Sequence, residues 1–186
     1  MRRLSSKFRW LFLLAGIMVA AHVANWVLQG WLYQFGLVPR QLSALPGIYI
    51  SPFLHGSLGH LINNLFGLFI FSSLLFLHSL RRYLWSSFFI ISLTGILVWC
   101  FGRSALHIGA SGWVFGLWSL TLATAWFDRK LVNILIAVLV AFFYGGMLWG
   151  VLPTDPGVSF ESHLFGALSG VACAFVQYRL IENKIV

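Results

Sequence analysis

The chain has 186 residues, 60% of them hydrophobic and only 9% charged, too few polar residues to clothe a water-soluble domain of that length. A net charge of +8 would suit nucleic acid, but in so apolar a chain basic residues set membrane topology, so a nucleic-acid partner is excluded and the lipid bilayer is the expected surrounding. The fold class that follows is an all-α membrane protein, a six transmembrane helix bundle, with residues 1–186 forming a single domain and no soluble domain beside it.

About 20 apolar residues cross a hydrocarbon core of about 30 Å, and six such stretches succeed one another. The first, Phe8–Leu28, follows a basic start with Arg2, Arg3, Lys7 and Arg9. It is too long for the apolar core of a signal peptide, and no small-x-small cleavage site closes it before Trp26, so it is read as a retained span. The connection from Gln29 to Ser57 is the long one. It holds Pro39, Pro46 and Pro52, is apolar and aromatic, and is expected to lie in the membrane interface. The remaining predicted spans are Leu58–Leu77, Tyr83–Phe101, Ser111–Phe127, Leu131–Val151 and His163–Leu180. Cys100 and Cys173 sit in apolar runs without metal-ligand spacing and read as small packing residues.

With the N-terminus in the cytoplasm, that side collects Arg2, Arg3, Lys7, Arg9, Arg81, Arg82, Arg129, Lys130, Arg179 and Lys184, against Arg40 and Arg103 on the other. The positive-inside rule therefore places both termini in the cytoplasm, in a cell inner membrane. Spans two, four and six then begin on the non-cytoplasmic side. Each carries polar residues there, and polar groups at membrane depth are costly and mark function.

On span four, Ser111 stands in HIGASGWVFG between Gly109 and Gly112. Ser111–Phe127 is only about 25 Å long, so this helix starts below the surface, and its N-terminus offers free N–H groups and a positive dipole end. That suits an oxyanion beside a serine nucleophile. By itself the segment fits a helix N-cap better. On span six, His163 in ESHLFGALSG can act as a general base, although a lone histidine is more often a packing residue. Gly166 and Gly170 share its face, and Gly112 and Gly116 form a matching pair after Ser111. Such pairs let membrane helices approach closely and would bring Ser111 to His163. On span two, His60 and Asn64 in HGSLGHLINN are i, i+4 neighbours with donors for a tetrahedral oxyanion. An interhelical polar bond is the plainer reading of that pair. Asn63 points about 100° away.

Together these motifs resemble the rhomboid family of intramembrane serine proteases. HGSLGHLINN is similar to its His-x-x-x-Asn on span two, GASGWVFG to its Gly-x-Ser-Gly on span four, and SHLFGALSG to its His-x-x-Gly-x-x-x-Gly on span six. The resemblance implies a rhomboid-like bundle that cleaves transmembrane protein substrates with a Ser-His dyad. Ser111 would be the nucleophile and His163 the general base, with no essential acid. His60, Asn64 and the Ser111 N–H would hold the oxyanion. Phe115 would pack against the base, and Gly109, Gly112, Gly166, Gly170 and His55 would support the site. No metal and no other cofactor is implied. The family's Trp-Arg pair in the first loop is missing, with Trp31 and Arg40 the nearest residues to it, and Ser162 replaces the usual alanine before the histidine.

Three readings compete: a catalytically dead rhomboid-like protein that binds membrane clients, a small transporter, and a histidine-rich metal protein. The first would lack Ser111 or His163. The others lack internal repeats or metal-binding spacing. Among the remaining ionisable groups, His22 and His78 are expected to pack in mid-span or in the cytoplasmic half, His107 to be solvated in its loop, and His55 to order the connection before span two. Asp155 or Glu161 remains an open candidate for orienting His163. Span five and the loop VLPTDPGVS are expected to gate the site.

Overall fold

In lipid the backbone has no hydrogen-bond partner but itself, so long apolar runs close into helices. The computed structural model describes residues 2–153, 155 and 157–182. Thr154 and Pro156 of the expected gating loop, and Lys184 of the basic side, lie outside the described residues. Six long helices match the predicted spans: α1 (Arg2–Val27), α3 (Leu58–Leu75), α4 (Leu80–Phe101), α5 (Ser111–Asp128), α6 (Leu131–Tyr144) and α7 (Phe160–Glu182). A single turn, α2 (Gly47–Ile50), lies inside the long connection. Ser57 and Ser79 cap α3 and α4, each hydroxyl accepting from the N–H three residues on, at 3.1 Å.

Among the described residues, four segments are long and apolar enough to cross a membrane by length and composition alone: Lys7–Val27, Leu58–Leu75, Leu80–Phe101 and Leu131–Val151. α7 and α5 are not among them, and for α5 there is a physical reason. α5 is the central helix, enclosed by α3, α4, α6 and α7, and every residue from Gly112 to Thr121 is buried. A helix that faces protein need not match lipid. Its hydroxyls are satisfied internally: Thr121 and Thr124 donate to the carbonyls of Leu117 and Leu120, and Ser119 to that of Ala167 on α7.

α5 and α7 approach backbone to backbone. A methyl group added at Gly166 would overlap the Gly112 carbonyl, and one added at Gly170 the Gly116 carbonyl. This contact sets the distance between the start of α5 and the start of α7. α6, by contrast, is peripheral, with only Asn133 and Val140 buried along its length.

Span five departs from the sequence expectation. Its α-helix stops at Tyr144, and Gly145–Val151 continues as a 3-10 helix. Gly145 and Gly146 lack the side chains that favour an α-helix, and the tighter winding redirects the carbonyls that follow. α7 begins three residues earlier than predicted, which puts His163 in its first turn.

The long connection is bound to the bundle. The Arg40 guanidinium donates to the Gly102 carbonyl (2.7 Å) and the Ser104 hydroxyl (2.8 Å), at the end of α4. The Trp99 indole returns a bond to the Gln41 carbonyl (2.9 Å). An arginine–tryptophan pairing across two elements thus anchors this loop, where the sequence offered no adjacent pair. Trp31, Leu42 and Tyr49 stay exposed on it, as an interfacial segment requires.

The two ends of the bundle differ. At one end Lys7 reaches the Phe76 and His78 carbonyls, near the α3–α4 connection. At the other end lie the starts of α3, α5 and α7. His22, expected in mid-span or the cytoplasmic half, belongs to this second end, where its ring bonds the His55 carbonyl at 3.1 Å.

Candidate active site

Ser111 opens α5 and is half-buried. The tight turn before it depends on Gly109, whose φ of +107° is a conformation that side-chain-bearing residues rarely adopt. A side chain there would also collide with the His60 ring. The N–H groups of the first turn of α5 have no partner within the helix and face outward from its positive end.

His163 lies alongside. Its neighbour Ser162 packs on Gly112, where an added Cβ would stand 2.9 Å from the Ser162 carbonyl oxygen. The imidazole stacks flat on Phe115, with centroids 4.1 Å apart and planes 6° from parallel. Nδ1 is 2.8 Å from the Gly150 carbonyl oxygen. A carbonyl only accepts, so Nδ1 carries a proton, and in the neutral ring Nε2 keeps its lone pair. Gly150 can come this close because it has no side chain: a Cβ would stand 2.7 Å from the Phe115 ring. Neither acid orients His163. Asp155 accepts from the Gly157 N–H, and Glu161 is paired with Arg103.

Ser111, His163, His60 and Asn64 all line one cavity of about 890 Å³ between α3, α5, the 3-10 segment and α7, with Phe66 and Tyr144 on its walls. Asn64 is buried, and its Nδ2 has no hydrogen-bond partner among the described residues. A buried amide donor without an acceptor is rare, and this one belongs to a residue that lines the cavity. His60 packs edge-on against His55, centroids 5.1 Å apart. Asn63 also lines the cavity but is exposed.

His55 is 1% exposed and holds the long connection through its carbonyl, which accepts from His22 and from the Tyr33 hydroxyl. Burial, and then the neighbouring His60, push its imidazole down to about 4. The unfolded chain would titrate near 6.5, so between those values the folded state binds fewer protons. Its contribution to stability is therefore full above about pH 6.5 and is lost as pH falls towards 4. Thermal unfolding of the wild type should show that decline, and His55→Asn should flatten it.

His107 was expected in solvent, but it is buried. Its backbone pairs with Leu37 of the long connection in an antiparallel bridge. Its Nε2–H donates to the Arg103 carbonyl (3.1 Å) and Nδ1 accepts from the Ser159 hydroxyl (2.6 Å). Burial lowers its basicity, which keeps that neutral pattern. Sequence reasoning missed both His107 and Gly150. The Gly145–Gly146 break was the available signal for the second.

Comparison with known proteins matches residues 43–180 to the rhomboid domain model. The chain is similar to an uncharacterized protein of Mycobacterium tuberculosis, 35% identical over 150 residues, covering 76% of this chain and 62% of the relative. An uncharacterized Mycobacterium leprae protein is likewise 35% identical, with 59% of its length covered. A chloroplastic rhomboid-like protein of Arabidopsis thaliana is 31% identical over 141 residues, 68% of this chain and 50% of the relative. The chain thus spans about three fifths or less of the length of these relatives.

Proposed function

The chain belongs to the rhomboid family, and from that membership we propose that it is an intramembrane serine endopeptidase that cuts transmembrane segments of other membrane proteins. Ser111 is the nucleophile and His163 the general base. The observation that carries this reading is the tautomer of His163: Nδ1–H is committed to the Gly150 carbonyl, so Nε2 is the unprotonated nitrogen of a residue sharing a cavity with Ser111.

The substrate helix unwinds near its outer end and enters the cavity beside α3. Nε2 of His163 takes the proton of the Ser111 hydroxyl as Oγ bonds to the scissile carbonyl carbon. The carbonyl oxygen, now an anion, meets the Ser111 N–H, Asn64 Nδ2 and His60. The intermediate collapses, the C–N bond breaks, and His163 returns its proton to the leaving amine. Water, deprotonated by Nε2, then releases the acyl group and restores Ser111. The polar end of the bundle faces away from the cytoplasm, with both termini and the basic end inside.

The test is cleavage of a single-span substrate by the protein in lipid vesicles, with mass spectrometry of the protein after fluorophosphonate treatment. Cleavage by the wild type, an adduct on Ser111, and neither in Ser111→Ala support the reading. Absence of both in the wild type would overturn it in favour of a non-catalytic protein that binds membrane clients. Cleavage by Ser111→Ala would assign the nucleophile elsewhere.

A further inference from the structure

Glu161 is 5% exposed, the one buried carboxylate among the described residues, and the catalytic steps proposed above do not use it. It lies in the first turn of α7, two residues before His163. Its partner Arg103 lies on the 102–110 loop that leads into Ser111. The Arg103 main-chain N–H donates to Glu161 Oε1 at 3.2 Å, and Arg103 Nε stands 3.5 Å from the same oxygen. Arg103 Nη2 donates to the Val158 carbonyl at 2.7 Å, and the guanidinium lies over the Phe160 ring. Oε2 of Glu161 has no hydrogen-bond partner among the described residues. A carboxylate held out of water on one oxygen is a poor source of stability. What such a pair does well is fix a geometry.

A second strand of bonds runs parallel to this pair. Because the Arg103 carbonyl must accept, His107 donates from Nε2, and Nδ1 can only accept from the Ser159 hydroxyl. Ser159 has then spent its proton, so the Ser162 hydroxyl donates to Ser159 Oγ, at 2.7 Å. The Ser162 N–H bonds the same oxygen, which caps α7. Proton order is thus fixed in one direction, from the residue beside His163 to the loop before Ser111.

Resting on the proposed function, we propose that Glu161 and Arg103, backed by the His107–Ser159–Ser162 chain, are positioning residues that hold the loop carrying Ser111 in register with the turn carrying His163. The α5–α7 glycine contact sets the spacing of the two helices. The Glu161–Arg103 clamp sets the orientation of the loop that one of them starts from. Neither residue touches the reacting atoms.

The experiment compares wild type, Glu161→Gln, Glu161→Ala, Arg103→Gln and the double variant Arg103→Gln/Glu161→Gln in vesicles. It reads kcat and KM for a single-span substrate, the rate of fluorophosphonate labelling of Ser111, and thermal stability. Leu11→Ala, buried on α1 near the Lys7 end of the bundle and not among the cavity-lining residues, serves as a destabilised reference. Small misplacements of reacting groups cost up to about 10²-fold. The expected result is a fall in kcat and in labelling of about tenfold for Glu161→Gln and more for Glu161→Ala, with KM unchanged. The double variant should match the single Gln variants, because all break one link. Wild-type kcat and labelling in the Glu161 variants, with stability lowered as in the reference, would overturn the clamp and leave the protease reading standing. A wild type that neither cuts nor labels would overturn that reading and the clamp with it.

Discussion

Ser111→Ala and His163→Ala are each expected to lower cleavage by on the order of 10⁵-fold, and the double variant to fall no further. A nucleophile and its base act as a unit, so losing either forfeits the whole contribution. His163 is held on three sides, by Phe115 at 4.1 Å, the Gly150 carbonyl at 2.8 Å and the first turn of α7. The Asp155 carboxylate accepts from the Gly157 N–H, and Asp155→Asn should keep the rate within about twofold, the scale of a near-neutral surface change. Steady-state rates in vesicles at matched amounts of folded protein provide the check. Losses that multiplied in the double variant would mean that the two residues do not form a dyad.

The second large effect concerns Asn64, where activity and stability should move apart. Its amide is buried with Nδ2 unpartnered among the described residues, and a buried donor without an acceptor costs about 1–3 kcal/mol. The donor gains its acceptor only when the substrate oxygen becomes an anion, so its binding energy appears in the transition state and not before. Asn64→Leu, close in volume, should lower kcat by about 10²–10³-fold while leaving the melting temperature unchanged or raised. A variant that melted earlier and cut at the wild-type rate would assign Asn64 to packing alone.

Much of this arrangement was legible because two kinds of residue announce themselves. Long apolar runs can only be helices in lipid, and they gave the six long helices to within a few residues at most ends. Polar residues at the start of three spans drew attention to His60, Asn64, Ser111 and His163 because intramembrane polarity is costly. The 3-10 stretch after Tyr144 stayed hidden, since Gly145 and Gly146 sit in a run whose mean apolarity still reads as one continuous span. Arg40 and Trp99 stayed hidden for another reason: they are 59 positions apart in sequence (99 − 40) and meet only when the long connection folds back on α4. His107 is of the same kind. A polar residue in a loop reads as solvated until three segments close over it.

The Gly150 carbonyl has a consequence for how this site tolerates mutation. Where a carboxylate steers the base, one acid-to-amide exchange disables it, as in Ser-His-Asp enzymes. Here the steering atom belongs to the main chain, and no substitution can delete it. The vulnerability is displaced to the absence of a side chain at position 150, where any added carbon meets the Phe115 ring and His163 Nδ1. The harmful change at this point therefore inverts: it is the gain of a methyl group at position 150, and not the loss of a steering acid's charge.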